Sequence, residues 1–272
     1  MSTLFLSDLD GTLLRNDQRT SAFTNETVNR LVGKGVYFSY ATARSSITAK
    51  KATAGIRVNL PLIVYNGAFV VENNTGNCLF TNFFQQDTAF SILRDLLAQE
   101  VSPIVYSYCS GIERFTYDAA HSSTAVLDFV RSRGCDPRKT TVGSSAELFG
   151  DGIFYFTCID AAEKLAPLYQ KYKEEHHCLF YKDLYSGEQW LEIMPKSVSK
   201  AKAARQLASY LGCEKIVAFG DAKNDLELFA AADECYCVAN AVPELKAIAT
   251  GVIGSNEEDG VAKWLLENYS RY

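Results

Sequence analysis

The heptapeptide Ser7-Asp8-Leu9-Asp10-Gly11-Thr12-Leu13 decides how the rest of the chain is interpreted, because its two carboxylates directly follow the apolar run Leu4-Phe5-Leu6. The apolar run predicts a short buried strand at the start of the chain. Side chains two residues apart on extended backbone project to the same side, so Asp8 and Asp10 are expected to lie close together. Gly11 then allows the backbone to turn sharply.

Two neighbouring carboxylates at the end of a strand require something that relieves their repulsion. At a separation of ~4 Å they repel by about 4 kcal/mol at an effective dielectric constant near 20. Either the pair shares a proton or a cation lies between the two groups. Oxygen ligands suit a hard ion, Mg²⁺ above all. An isolated Asp-x-Asp pattern is also compatible with a polar turn in which the carboxylate accepts hydrogen bonds from backbone amides.

Composition and charge exclude several classes of function. The 272 residues are enough for one large domain or two modest ones, and the net charge is −5 without any basic run, which disfavours nucleic-acid binding. No apolar run approaches the ~18 residues that a membrane helix needs. The N-terminus lacks the pattern of a signal peptide, so we expect a cytoplasmic protein that does not bind membranes.

Cysteine and histidine contribute little to the predicted chemistry. The eight cysteines are scattered and none forms Cys-x-x-Cys, so free thiols in a reducing compartment are expected rather than zinc. None of the three histidines, His121, His176 and His177, lies in a recognisable nucleophile context. We therefore expect chemistry that runs on carboxylates, lysine and metal.

The order of predicted elements indicates a split α/β domain. Predicted strands at 36–41 and 61–65 enclose a helix that begins at Ser45-Ser46, as is typical of a parallel sheet with right-handed crossovers. After about residue 82 the pattern changes to hairpins and helices, and the strand–helix pattern resumes from Ser199. The prediction is a Rossmann-like α/β core, formed by 1–81 and 187–272, with an α+β domain inserted at 82–186.

Polar residues follow several strands of the predicted parallel sheet. Asp8 and Asp10, Thr42, Asn66 and Asp221 each come directly after such a strand. Ligands bind at the carboxyl ends of the strands in sheets of this kind. The sequence therefore predicts one site at this edge of the sheet.

The motifs resemble those of a known superfamily. Asp8-Leu9-Asp10-Gly11-Thr12 is similar to the signature of the haloacid dehalogenase-like (HAD) phosphohydrolases, and Thr42-Ala43-Arg44, Lys200 and Gly220-Asp221-Ala222-Lys223-Asn224-Asp225 follow in the family's order. The resemblance covers nearly the whole chain, and its spacing is most similar to the Cof-type sugar-phosphate phosphatases. It implies a HAD-type core with a cap domain that selects the leaving group, and it implies sugar phosphates as the substrate class.

Phosphoryl transfer needs a nucleophile, neutralisation by metal, and groups that surround the phosphate oxygens. Asp8 can attack phosphorus to form an aspartyl-phosphate, and Asp10 can protonate the leaving oxygen and then activate water. Lys200 can hold the phosphate and balance the charge of Asp8. Asp221 and Asp8 would hold Mg²⁺, and the resemblance implies that Asp10 adds its backbone carbonyl.

The second motif, Thr42-Ala43-Arg44, is expected to bind substrate. Thr42 would supply a hydroxyl and backbone amides at a helix N-terminus, where anions bind readily. Ala43 replaces the glycine of the family's usual Thr-Gly-Arg, which would cost about 1 kcal/mol if the position needed a positive φ. Arg44 either contacts the substrate or only braces the loop.

Four more residues are candidates for the same site. Asn224 can donate to the phosphate or to a metal-bound water, and Asp225 can orient Lys200 or the waters of the metal. Asn66 and Asn240 resemble family positions that line the site, although either could be a turn residue that satisfies local backbone.

The sequence thus predicts a Mg²⁺-dependent phosphatase that acts on small phosphate esters, as a monomer or a weak homodimer. A phosphomutase remains open, because it uses the same aspartate pair. A catalytically idle sugar-phosphate-binding protein is the alternative from another class, and it is expected to lack one of these two aspartates. Within the inserted domain, the polar residues first expected to contact a leaving group are Arg114, Tyr117, Lys182 and Asp183.

Overall fold

A computed structural model describes residues 2–183 and 186–272 of the chain. It divides the protein into two compact units, a core unit of Met1–Thr81 with Val198–Tyr272 and an inserted unit of Asn82–Ser197. The first boundary lies at residue 81, as the sequence predicts, but the second lies eleven residues beyond the predicted position at 186.

The two units contain short strands and helices joined by tight turns. In chain order the strands are β1 (Thr3–Ser7), β2 (Tyr37–Tyr40), β3 (Leu62–Val64), β4 (Phe69–Val71), β5 (Cys78–Thr81), β6 (Ile104–Cys109), β7 (Ile112–Asp118), β8 (Lys139–Val142), β9 (Ile153–Ile159), β10 (His177–Lys182), β11 (Gln189–Met194), β12 (Lys215–Gly220), β13 (Glu234–Val238) and β14 (Gly251–Ile253). The helices are α1 (Ala22–Gly33), α2 (Ser46–Ala52), α3 (Gln86–Ala98), α4 (Thr124–Ser132), α5 (Ala162–Tyr172), α6 (Lys200–Leu211), α7 (Leu226–Ala231), α8 (Pro243–Lys246) and α9 (Gly260–Asn268). Over the residues described, no helix is both long enough and apolar enough to cross a bilayer.

The core unit is built on a five-stranded parallel sheet with the strand order β14-β13-β12-β1-β2. β1 lies between β12 and β2, and all five of its residues are buried, as expected of a strand covered on both faces. Ser7 is paired with Phe219 on one side and with Tyr40 on the other. The three strands therefore end at the same edge, and the polar residues that follow them start from one place.

The third strand, which the sequence predicts to be part of the parallel sheet, pairs differently in the structure. β3 pairs antiparallel with β4, which pairs with β5 in a separate three-stranded sheet. An isolated parallel bridge between Ala41 and Ile63 joins it to the parallel sheet. The reason is the turn that follows, in which Tyr65, Asn66 and Gly67 all have positive φ, so that the chain reverses directly into an antiparallel partner.

Helix boundaries in the core unit follow from their capping residues. Ser21 caps α1 by accepting a hydrogen bond from the Thr24 amide. Ser45 caps α2 and Ser199 caps α6 in the same way, and α6 ends at Gly212. The cap at Ser199 fixes the start of α6 and therefore the position of Lys200, the first residue of that helix.

The inserted unit contains a six-stranded sheet with the order β10-β11-β9-β6-β7-β8. All pairs are antiparallel except β7 with β8, which is parallel and was not predicted. One face packs on α3 and α5 through an apolar core that includes Leu93, Leu165 and Leu191. Because β11 pairs with both β9 and β10, residues 187–197 belong to this unit, which corrects the predicted boundary.

Glu192 of β11 is a buried carboxyl group in the inserted unit, with 6% of its surface exposed. Burial raises its pKa to about 7, while hydrogen bonds from Tyr155 and Tyr181 oppose the rise and the charge of Asp183 adds to it. No hydrogen-bond partner for Oε2 is found among the described residues. The folded protein therefore favours the neutral form of this group.

We predict that Glu192→Gln reduces the loss of stability that accompanies a rise in pH from acidic to neutral. The group has an ordinary pKa of 4.5 and a folded pKa of about 7, so the folded state holds its proton more tightly. Stability tied to that proton is present below pH 4.5 and is lost as the pH rises to about 7. Relative to wild type, the variant should gain up to about 3 kcal/mol in free energy of unfolding between pH 4.5 and 8.

Urea denaturation across this pH range measures the difference. Glu174→Gln is the matched control, since 82% of that side chain is exposed, and its stability curve should run parallel to that of wild type. A parallel curve for Glu192→Gln as well would contradict the prediction.

Candidate active site

A buried ammonium group joins two carboxylates at the edge of the parallel sheet. The Lys200 Nζ atom donates to Asp8 Oδ1 at 2.6 Å and to Asp225 Oδ1 at 2.7 Å. All three residues are buried. They come from the end of β1, the start of α6 and the turn after β12, so one ion cluster connects three distant segments of the chain.

The position of Lys200 depends on how α6 begins. The Ser199 hydroxyl accepts a hydrogen bond from the Ala201 amide at 3.1 Å and donates to Glu227 at 2.7 Å. Gly67, at φ +96°, approaches this residue so closely that an added Cβ would lie 2.4 Å from the Ser199 carbonyl oxygen. The turn Asn66-Gly67 therefore packs against the start of α6, and Asn66 itself is buried beside it.

Asp221 is held by the first motif. Thr12 Oγ1 donates to Asp221 Oδ1 at 2.8 Å. Gly11, at φ +73°, lies so near that an added Cβ would be 2.4 Å from Asp221 Oδ2. Asn240 donates from Nδ2 to the Gly11 carbonyl at 2.7 Å, so it braces this turn. Thr12 is a site residue for which the sequence predicted no role, although it directly follows Gly11 in the first motif.

Both carboxylate oxygens of Asp225 accept hydrogen bonds from other groups of the protein. Oδ1 accepts from Lys200, and Oδ2 accepts from the backbone amides of Asp221 and Ala222 at 3.1 and 3.2 Å. Carboxylate oxygens of Asp8, Asp221 and Asp225 all lie within 4.8 Å of one another. Because the oxygens of Asp225 are already engaged, its position suits the orientation of Lys200 better than the binding of an ion.

The cluster is short of positive charge. Three carboxylates against one ammonium leave two negative charges when all four groups are ionised. Burial raises the pKa of Asp8 well above its ordinary value, with Lys200 opposing the rise and Asp225 and Asp221 adding to it. Burial and then the charge of Asp225 raise the pKa of Asp221 to about 7. Burial disfavours the charge on Lys200, but Asp225 and Asp8 outweigh it and raise the pKa of that group.

These donors fit a divalent hard cation. Asp8 and Asp221 each engage one oxygen, with Lys200 and Thr12 respectively, and the second oxygen of each takes no part in these bonds. The ligand set contains oxygen alone, which matches Mg²⁺ rather than a soft metal. A charge of +2 would also balance the cluster.

Asp10 points to a different partner. Arg44 donates from Nε to Asp10 Oδ2 at 2.7 Å and from Nη2 to Asp10 Oδ1 at 2.5 Å. The two motif aspartates therefore do not face one another through a shared proton. Each has its own cation, because the chain turns after Leu9: Gly11 has a positive φ of 73°, and the Leu14 amide donates to the Leu9 carbonyl at 2.8 Å.

The second motif differs in part from its predicted role. The Thr42 amide donates to the Ile63 carbonyl at 3.0 Å and α2 begins only at Ser46, so the expected backbone amides at a helix N-terminus are not offered by Thr42. Its hydroxyl accepts from the Arg44 amide at 3.1 Å. Ala43 has no left-handed conformation, so the family's glycine is not needed for backbone geometry at this position.

The remaining predicted residues are placed as follows. Asn224 lies half-buried beside Asp225 in the turn after β12. In the inserted unit, Arg114 and Tyr117 lie on β7, while Lys182 ends β10 and Asp183 follows it. Thr141 donates to the Tyr117 hydroxyl, and Asp183 accepts from Ser186, so both make local bonds within their own unit.

Comparison with known proteins covers almost the whole chain. The family model described as haloacid dehalogenase-like hydrolase matches residues 5–265. Among curated proteins, the 5-amino-6-(5-phospho-D-ribitylamino)uracil phosphatase YitU of Bacillus subtilis is 27% identical over 274 residues. The match covers 98% of this chain and 97% of that protein.

Solved structures have the same architecture. The crystal structure of TM0651 from Thermotoga maritima has a TM-score of 0.78 at 25% identity, covering 98% of this chain and 97% of that one. BT4131, a sugar phosphatase of HAD subclass IIB, has a TM-score of 0.78 at 18% identity and covers 100% of both chains. The predicted fold class, a parallel-sheet core with an additional sheet domain, is confirmed.

We predict that Gly11→Ala damages the candidate metal site beyond the cost of backbone strain. Gly212→Ala is the matched control, because Gly212 also has a positive φ, of 67°, but an added Cβ there meets nothing within 4 Å. Each change should cost about 1 kcal/mol for the left-handed conformation. Only Gly11→Ala should also displace the Asp221 carboxylate, and its affinity for Mg²⁺ should fall by at least about tenfold, or about 1.4 kcal/mol.

Thermal unfolding and calorimetric Mg²⁺ titration of both variants give the two quantities. Equal Mg²⁺ affinity in the two variants would show that the close approach of Gly11 to Asp221 has no bearing on metal binding.

Proposed function

Because the chain belongs to the haloacid dehalogenase-like hydrolase family, we propose that it is a Mg²⁺-dependent phosphatase that hydrolyses small phosphate monoesters through an aspartyl-phosphate on Asp8. The observation that carries the proposal is the buried cluster in which Lys200 joins Asp8 to Asp225 beside Asp221. A solvated turn would not place three carboxylates and one ammonium out of contact with water.

In the first half-reaction, a carboxylate oxygen of Asp8 forms a bond to phosphorus while the bond to the leaving oxygen breaks. Lys200 holds Asp8 in place and offsets part of the charge of the approaching phosphate. Asp10 delivers a proton to the leaving oxygen, so that it departs as an alcohol. Asp8 and Asp221, with the backbone carbonyl of Asp10, would hold Mg²⁺, which supplies charge neutralisation at the phosphate oxygens.

In the second half-reaction, water attacks phosphorus and the carboxylate of Asp8 leaves. Asp10 takes a proton from that water, because it has become a base in the first half-reaction. The hydroxyl of Thr42 and the amide of Asn224 are assigned to the phosphate oxygens. Asp225 keeps Lys200 aligned through both steps, since it binds that ammonium and the backbone after β12 together.

Sugar phosphates are the substrate class we assign, from the Cof-type spacing of the motifs. The relative from Bacillus subtilis supports this class, because its name describes a phosphate ester on a ribityl chain, which is rich in hydroxyls. All assigned catalytic groups lie in the core unit, so we assign the choice among esters to the inserted unit. Loss of one hydrogen bond from that unit to a leaving group would cost the ester concerned about 1 kcal/mol and leave other esters unaffected.

Two other functions would use parts of the same site. A phosphomutase would return the phosphate to a sugar, and it would need the same aspartate pair. A binding protein without turnover would not need Asp8 and Asp10, yet both are present and each has a cation as its partner.

We predict that the protein releases inorganic phosphate from a panel of sugar phosphates and from p-nitrophenyl phosphate in the presence of Mg²⁺. Asp8→Asn should keep the fold, because the change is nearly isosteric, and should lower turnover by at least about 10³-fold, since the amide cannot act as the nucleophile. A phosphate-release assay measures both. Isomerisation of a sugar phosphate that requires a sugar bisphosphate and releases no phosphate would favour the phosphomutase, and full activity of a pure Asp8→Asn sample would exclude the covalent mechanism.

We also predict that EDTA abolishes turnover and that Mg²⁺ restores it. The reason is that Asp8 and Asp221 offer oxygen ligands alone, in a cluster that carries two excess negative charges. Turnover is measured after chelation and again after titration with Mg²⁺ or Zn²⁺. Recovery with Zn²⁺ alone, or undiminished turnover in EDTA, would contradict this metal assignment.

A further inference from the structure

We propose that Arg44 is a positioning residue that acts through Asp10, holding its carboxylate for proton transfer, and does not bind the substrate. The proposal rests on the function proposed above, because it concerns the acid and base of that reaction. It decides between the two roles that the sequence left open for Arg44.

The contact between Arg44 and Asp10 has the geometry of a fork. Two different nitrogens of the guanidinium donate to the two different oxygens of the carboxylate, at 2.7 and 2.5 Å. Paired bonds of this kind fix the direction of a carboxylate as well as its charge. The pair is also partly withdrawn from water, with 17% of the Arg44 side chain and 32% of the Asp10 side chain exposed.

Arg44 is itself held from several directions. Its amide donates to Thr42 Oγ1 at 3.1 Å, and its carbonyl accepts from the Tyr65 amide at 3.0 Å. Its Nη2 atom also donates to Gln18 Oε1 at 3.0 Å. Because both the backbone and the Nη2 atom of Arg44 are held by other residues, its guanidinium keeps the Asp10 carboxylate in one place.

The two cations of the site therefore have separate tasks. Lys200 lies against Asp8, where the phosphate would arrive, and Arg44 lies against Asp10. The bonds to Asp10 and Gln18 engage the edge of the guanidinium formed by Nε and Nη2, so this edge could meet the substrate only by giving up two charge-assisted bonds. Each carboxylate oxygen that accepts from Arg44 retains a second lone pair, so Asp10 can still give and take a proton while the fork remains intact.

The experiment compares substrates that differ in their need for a proton. A sugar phosphate loses a poor leaving group, which must be protonated, whereas p-nitrophenyl phosphate loses p-nitrophenolate without a proton. For Arg44→Gln we expect kcat toward the sugar phosphate to fall by about 10²-fold or more, because general acid catalysis contributes at least that factor. KM should stay within about threefold, since only uniform substrate binding changes KM alone.

With p-nitrophenyl phosphate the same variant should show a burst. Formation of the aspartyl-phosphate needs no proton from Asp10, but its hydrolysis needs Asp10 as a base. Rapid mixing should therefore release about one equivalent of p-nitrophenolate per enzyme before a slow steady state. Arg44→Lys, which keeps the charge and loses the fork, should recover only part of kcat.

A double-mutant cycle tests whether Arg44 acts through Asp10 alone. Arg44→Gln combined with Asp10→Asn should be no slower than Asp10→Asn, because coupled residues do not contribute independently. Arg15→Gln is the matched control: Arg15 forms a similar fork, at 3.3 and 2.6 Å, with Asp259, which has no assigned catalytic role, so kcat and KM should both be retained.

Several outcomes would overturn the proposal. These are a rise in KM for both esters with kcat retained, a multiplicative loss in the double variant, or an equal loss in Arg15→Gln. Wild-type protein that hydrolyses neither ester with Mg²⁺ would overturn the proposed function instead, and the wild-type assay is therefore run first.

Discussion

The ammonium of Lys200 between Asp8 and Asp225 is the interaction on which the site depends. The three groups lie 192 and 25 residues apart along the chain, measured from Lys200, yet all are buried and bonded. A buried ion pair that loses one partner costs about 3–5 kcal/mol, because a charge remains without compensation. The ends of β1 and β12 and the start of α6 are therefore fixed to one another by chemistry as well as by packing.

The electrostatics of the site explain why a cation and an anion can bind together. The ion cluster carries two excess negative charges, whereas the pair of Asp10 with Arg44 is neutral. A phosphate approaching this edge of the sheet would meet repulsion unless a divalent cation had arrived first. Burial, with the charges of neighbouring carboxylates adding to it, raises the pKa values of Asp8 and Asp221 in the protein alone.

Much of this arrangement can be predicted from the sequence, because motif spacing and buried strands reflect local rules. The parallel core, the inserted domain and the placement of Asp8 and Asp221 at one edge follow from such rules, whereas Lys200 is expected there from the family resemblance. Two features depend on long-range pairing instead. β11 joins the inserted sheet only through its partners β9 and β10, so no local signal marks the boundary at 197.

The partners of the two motif aspartates are likewise set by tertiary structure. Alternation along an extended strand predicts the two carboxylates side by side, but the turn at Leu9–Leu13 brings Asp10 to Arg44. The role that we propose for Arg44 depends on its contacts with Asp10 and Gln18, which no local sequence pattern predicts. Sequence identifies the candidate residues, and the fold decides which group each one meets.

The position of β1 between two strands from different ends of the chain has a consequence for synthesis on the ribosome. β1 can pair with β2 early, but its other neighbour, β12, emerges only after the whole inserted unit has been made. The contiguous segment Asn82–Ser197 can therefore complete its own sheet first. Until β12 has been synthesised, one edge of the apolar strand β1 has no pairing partner. An unpaired edge can pair with strands of other chains, so the nascent chain is open to aggregation at this edge.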